Sequence, residues 1–163
     1  MPIAINGSGT ITGVGTTGIS NQPVFPGNVI QVVNATYSTQ TTSSSSTYAD
    51  TGLTATITPT SASSKILIFA SISGVYKDTN NTYLKTRLVR GSTELLLIDD
   101  AAAYTGSAAA VGVGNVYASY LDSPATTSAT TYKVQFASSL NVAKVQIQTS
   151  SSTSTITLME VAA

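Results

Sequence analysis

The sequence predicts an all-β protein, an antiparallel jelly-roll β-sandwich with an extended N-terminal arm, and three observations carry that expectation. From Asn28 onward, eight or nine short runs follow one another between turn residues, several alternating apolar and polar side chains with the period of a sheet wet on one face. No stretch repeats with the period of a helix. The first 49 residues carry no charged side chain, and residues 1–27 hold six of the twelve glycines and three of the five prolines.

Residues 1–27 are therefore expected to be an arm and residues 28–163 a head. Glycine loses backbone entropy in any regular element and proline removes a donor, which argues against an independent unit in the first segment. Yet Ile3, Ile5, Ile11, Val14 and Ile19 recur through it. Spaced apolar side chains on an extended chain need another surface to cover them, so these five are the candidate assembly residues. Fully extended, such an arm reaches on the order of 80 Å. Gly13 to Gly18 fits the spacing G-x-G-x-x-G, but Pro23 leaves no room for the helix whose N-terminus would receive a pyrophosphate. Glycine turns are the better reading.

In the head, Val29 to Val33 opens the series and Ser43 to Ser46 form a polar loop. Leu53 to Thr58 alternates, and Pro59 ends the ladder because it has no N–H to donate. Ile66 to Ile72 begins apolar on both faces, the pattern of a central strand covered on each side. Tyr83 to Arg90 and Thr93 to Ile98 flank Gly91-Ser92, a two-residue hairpin turn. Ala101 to Gly114 has neither period and is expected to be a loop. Asn115 to Leu121, Thr131 to Ala137, Ala143 to Thr149 and Thr155 to Val161 complete the strands, with Tyr132, Val134 and Phe136 facing one way and Lys133 and Gln135 the other.

Composition excludes much chemistry. Seven Lys and Arg balance seven Asp and Glu, and charged residues make up 9% of the 163 where about 25% is usual. Without a basic cluster there is no footprint for nucleic acid. The chain has no His and no Cys, which removes imidazole bases, Ser-His-Asp triads, thiol nucleophiles, disulfides and Cys/His metal sites. Thr and Ser together make 50 residues, so the surface meets water through hydroxyls. No apolar run is long enough to span a membrane, and Met1-Pro2-Ile3-Ala4 lacks a charged leader region, so neither membrane insertion nor secretory targeting is expected.

Residues 77–100 hold eight of the fourteen charges: Lys77, Asp78, Lys85, Arg87, Arg90, Glu94, Asp99 and Asp100. Their bland reading is a solvated edge guarded against stray pairing. The sharper reading is a subunit interface formed by Lys85, Arg87, Arg90 and Glu94, with Lys85 and Arg87 sharing a strand face. Asp99-Asp100, joined by Asp50, Asp78 or Asp122, is a weak candidate for calcium or for a carboxylate pair, since no D-x-D-x-D loop supports it. No residue is assigned to catalysis, to a cofactor or to a metal. Eight tyrosines and no tryptophan leave a carbohydrate site using Tyr104 and Asp100 as a rival reading.

The opening Ile5-Asn6-Gly7-Ser8-Gly9-Thr10-Ile11-Thr12-Gly13-Val14 resembles the N-terminal arm of short bacteriophage tail-fibre-like proteins. The remainder is similar to a β-rich module of phage virion proteins, through Thr56 to Leu67, Leu88 to Thr93, Leu121 to Pro124, Thr131-Tyr132 and the closing Ile156 to Glu160. The resemblance implies a head comparable to trimeric C1q or tumour-necrosis-factor heads. It further implies a homotrimer on a virion and carries over no catalytic residues, without placing the protein on the particle. The expectation is a non-enzymatic, tail-fibre or tail-associated protein that docks to other virion proteins through its arm and contacts the host surface or its glycans. Capsid decoration is the alternative within that class, and a carbohydrate-binding module the alternative outside it.

Overall fold

A computed structural model of the chain describes residues 25–163. The assembly residues Ile3, Ile5, Ile11, Val14 and Ile19 lie outside the described residues. Ten strands follow: β1 (Val29–Tyr37), β2 (Thr41–Ser43), β3 (Ala49–Ile57), β4 (Lys65–Lys77), β5 (Thr82–Arg90), β6 (Thr93–Thr105), β7 (Val111–Asp122), β8 (Thr130–Ser138), β9 (Val145–Ile147) and β10 (Ser154–Val161). One sheet has the order β1-β10-β4-β7, with the short β9 and β2 continuing it beside the second half of β4. The other has the order β3-β8-β5-β6. Every pairing is antiparallel. With the two three-residue strands set aside, the chain winds eight strands between two sheets in the jelly-roll manner, as the sequence predicts.

Alternation decides which side of each strand is dry. Ile66, Ile68 and Ile72 of β4 and Ile156 and Leu158 of β10 point inward and are sealed from solvent. They meet Leu53 and Ile57 of β3, Leu84 and Leu88 of β5, and Tyr132, Val134 and Phe136 of β8 in one cluster. Burying each such side chain stabilises the fold by about 1.5–3 kcal/mol.

Bulges interrupt that alternation where the sheets must bend. Gly74, at φ +65°, sits at a register shift in β4, and Gly52, at φ +86°, at one in β3, where the Tyr37 ring packs over it. The largest departure is on β6. Its thirteen residues pair with the nine of β5 through four register shifts. This overturns the expected loop: Ala101 to Thr105 belong to β6 and Val111 to Gly114 to β7, leaving residues 106–110 as the connection. Extra residues destroy the period of two, so a bulged strand reads as irregular. The expected strand from Ala143 to Thr149 is also cut short, with β9 ending at Ile147 and Gln148 lying beyond it. The left-handed backbone of Gln148 (φ 53°) turns the side chain into the protein, where it donates to the Ser154 hydroxyl at 2.9 Å.

The two ends of the sandwich differ. Gly27 N–H donates to the Ala162 carbonyl and Ala162 N–H to that of Asn28, so the chain joins the head where β1 begins and β10 ends. This arm end also holds the Gly91 turn, and the opposite, far end holds the loops after β4, β6 and β8. Near the arm junction, Glu160 is fully buried and accepts from Gln31 Nε2 (2.6 Å), Thr60 N–H (2.8 Å) and the Thr60 hydroxyl (2.8 Å). Burial pushes the carboxyl up, but the hydrogen bonds from Gln31, Thr60 and Ser64 outweigh it and hold the pKa at about 2 against an ordinary 4.5.

A Cβ at position 74 would lie 2.5 Å from the Thr149 backbone nitrogen, whereas one at Gly91 would meet open space. Gly74→Ala is thus expected to cost about 2–4 kcal/mol and Gly91→Ala only about 1 kcal/mol, read from urea unfolding midpoints. Because the folded pKa of Glu160 is depressed, its contribution is complete above the ordinary 4.5 and lost as pH falls towards 2. It amounts to on the order of 3 kcal/mol. Unfolding curves recorded through that range should show the loss in the native chain and a flatter profile in Glu160→Gln.

Candidate assembly surface

The outer face of the first sheet is built from the residues that alternate with the core. Register aligns them in three transverse rows: Val32-Met159-Leu67-Leu121, Asn34-Thr157-Phe69-Ser119 and Thr36-Thr155-Ser71-Tyr117. None of the twelve is charged, and the first row is wholly apolar. Val32 is 55% exposed, Phe69 45%, Leu121 49% and Tyr117 68%, so four large apolar or aromatic side chains stand in solvent on one face. A shallow groove of about 340 Å³ runs between Phe69 and Tyr117, edged by Ser71, Ser119, Thr155 and Thr157. Among the described residues the Ile66 to Ile72 strand is covered on one side and not, as expected, on both. Its inner side is sealed and its outer side, at Leu67, Phe69 and Ser71, is open.

The second sheet carries charge across its outer side, where these twelve positions of the first have none; the exposed Lys65, opposite Val161, lies just beyond their edge. On its outer side Asp50 accepts from Lys133 Nζ (2.8 Å) and Gln135 Nε2 (2.7 Å), and these bonds overcome the upward push of burial to lower its pKa. Arg87 donates to Gln135 (2.9 Å) and Glu94 (2.8 Å), with its guanidinium 4.0 Å from the Tyr48 ring centre. Lys85 pairs with Asp100 at 3.5 Å. Thus Lys85, Arg87 and Glu94, predicted as one interface, do share a face, and each has a partner inside its own chain. Exposed pairs of this kind are worth about 0–1 kcal/mol apiece, and their separation from the first sheet is the more informative fact.

Arg90, the fourth member of that prediction, belongs to a different arrangement. Its guanidinium donates to Asp122 Oδ2 at 2.7 Å, and the Tyr132 hydroxyl donates to the same oxygen at 2.7 Å. Asp122 lies on β7 of the first sheet, Arg90 and Tyr132 on β5 and β8 of the second, so the buried carboxylate ties the two sheets beneath Leu121. Burial, then the bond to Asp122, pushes the Tyr132 hydroxyl pKa up. The remaining carboxylates are dispersed. Asp78 pairs with Lys144 at 2.7 Å, and Asp99 caps the Ala101 N–H at 2.7 Å. Among the described residues no three metal-capable side chains converge, so the Asp99-Asp100 calcium reading finds no partners.

Lys77 was grouped by sequence with the exposed charges but is fully buried, its ammonium held by the carbonyls of Thr79 (3.2 Å) and Thr105 (3.1 Å). The candidate face is not legible in the sequence because Phe69, Tyr117 and Leu121 are ordinary strand residues. The signal was the double-sided apolar start of β4, read as core alone. No protein-family model matches the chain, and a search of curated proteins gives no match.

Removing one partner of Asp122 should separate its two ties. Tyr132→Phe is expected to cost about 1–2 kcal/mol, and Asp122→Ala, which strands Arg90 and the Tyr132 hydroxyl together, about 3–5 kcal/mol, both measured by chemical denaturation.

Proposed function

We propose that the chain is a non-enzymatic structural protein of a phage virion, tail-fibre-like, whose heads associate as a homotrimer through the outer face of the first sheet. The arm then docks the assembly to other virion proteins. The observation that carries this reading is the face of twelve uncharged residues, with Phe69 in its middle row and Tyr117 at one corner. Subunit interfaces are depleted of charge and enriched in aromatic residues at their core. Exposed apolar patches of this kind mark protein contacts.

The arm supports the same reading. It contributes no charge and holds the five candidate assembly residues, and the chain enters the head at Gly27, beside the apolar row of the face. Such an arm and such a face both gain from leaving water, and closed rotational symmetry lets three copies satisfy one another without leaving a patch free. The resemblance of the head to C1q-like and tumour-necrosis-factor-like modules selects three as the number.

Light scattering of the full chain should give about three times the 16.6 kDa chain mass, and a monodisperse monomer would overturn the proposal. Phe69→Asp combined with Tyr117→Asp should yield a folded monomer with unchanged β-sheet circular dichroism. Antibody labelling of purified particles should place the protein at the tail in few copies. Hundreds of copies over the capsid would replace attachment by decoration.

A further inference from the structure

We propose that Tyr83, Tyr104, Lys85 and Asp100 form a binding corner at the far end of the head for an uncharged pyranose sugar. Two successive bulges build it. Thr82 pairs with Thr105 and Leu84 with Ala102, so Ala103 and Tyr104 together stand opposite Tyr83. Leu84 pairs with Ala102 and Thr86 with Asp99, so Asp100 and Ala101 together stand opposite Lys85. Ala103 adopts φ +63°, a left-handed backbone that costs an alanine what it would not cost a glycine. The result is that Ala102 and Ala103 are both buried and Tyr104 is turned outward, 56% exposed. Bulges re-aim side chains, and backbone strain collects at functional positions.

The corner is stiff. The Tyr83 and Tyr104 rings meet edge to face with centroids 5.9 Å apart and planes at 72°. Tyr83 N–H donates to the Ser139 hydroxyl (3.1 Å), and Ser139 N–H returns a bond to the Tyr83 carbonyl (2.9 Å). Lys85 Nζ stands 5.8 Å from the Tyr83 ring centre and 3.5 Å from Asp100, whose carboxylate is 56% exposed. Paired, the ammonium and carboxylate attract neither a cation nor an anion strongly. They still offer a donor and an acceptor beside the exposed Tyr104 ring. A ligand matching that set is neutral, has one flat C–H face and carries hydroxyls at its rim, which describes a pyranose.

The site does not depend on the assembly face, since it lies on the other sheet. Saturation-transfer NMR on the full chain, using the methyl glycosides of glucose, galactose, mannose and N-acetylglucosamine at millimolar concentrations, should detect binding of at least one. Tyr104→Ala should weaken that binding about tenfold, the loss of one aromatic stacking contact, and Asp100→Asn should weaken it while leaving the stack. Neither substitution should change the mass seen by light scattering, so a failure here is separable from a failure of the trimer. Absence of transfer to all four glycosides, or binding undiminished in Tyr104→Ala, would overturn the proposal.

Discussion

A strand that is apolar on both faces gains from losing water on both, and the described residues dry only one face of β4. The rest of the architecture is arranged around that constraint. The inner isoleucines of β4 pack on β3, β5 and β8 and fix the sandwich. Its thirteen residues are long enough to pair with β10 and β9 along one edge and β7 along the other, so β4 is the spine of the first sheet. The outer side chains of the same strand then set the face that remains wet. Fold and interaction surface are two sides of one strand.

The second sheet solves a different problem. Its outer face carries six of the fourteen charged side chains, and these neutralise one another across β3, β8, β5 and β6 rather than projecting a field. This makes one face soluble and leaves the other free for contact. The bulges of β6 belong to the same economy: four extra residues bend the strand around the corner between sheets and break the regular edge that an open sandwich would otherwise offer for stray pairing.

Much of this was legible in the sequence. The alternations at Leu53 to Thr58 and Thr131 to Ala137 located β3 and β8, and Gly91-Ser92 located the hairpin, because period and turn chemistry are local properties. Ala101 to Gly114 was illegible because bulges leave no period, and small residues such as Ala101, Ala102 and Ala103 give no hydrophobic contrast to replace it. Lys77 was misread because burial of a lysine depends on carbonyls at residues 79 and 105, of which the second is distant in the chain. For the assembly face the sequence held the pattern but not the inventory. It showed that the strand at Ile66 wanted cover on both sides, and only the fold reveals that nothing in the described residues supplies the second cover.

Hydroxyls make such a face workable. A charged side chain buried without a partner costs several kilocalories per mole, so a charged surface cannot pass from water into a contact without re-pairing. Threonine, serine and asparagine can satisfy one another in place. Asn34 Nδ2 already donates to the Thr157 hydroxyl at 2.9 Å, within the middle row of the face. Near the third row, the Asn115 amide donates to the Tyr117 hydroxyl, also at 2.9 Å. With those groups satisfied inside the chain, water can leave the face without stranding them, and the transfer of Val32, Leu121, Phe69 and Tyr117 out of solvent is opposed by less. In the proposed trimer the near absence of charge is thus a physical requirement, since the surface would have to be stable wet and become dry.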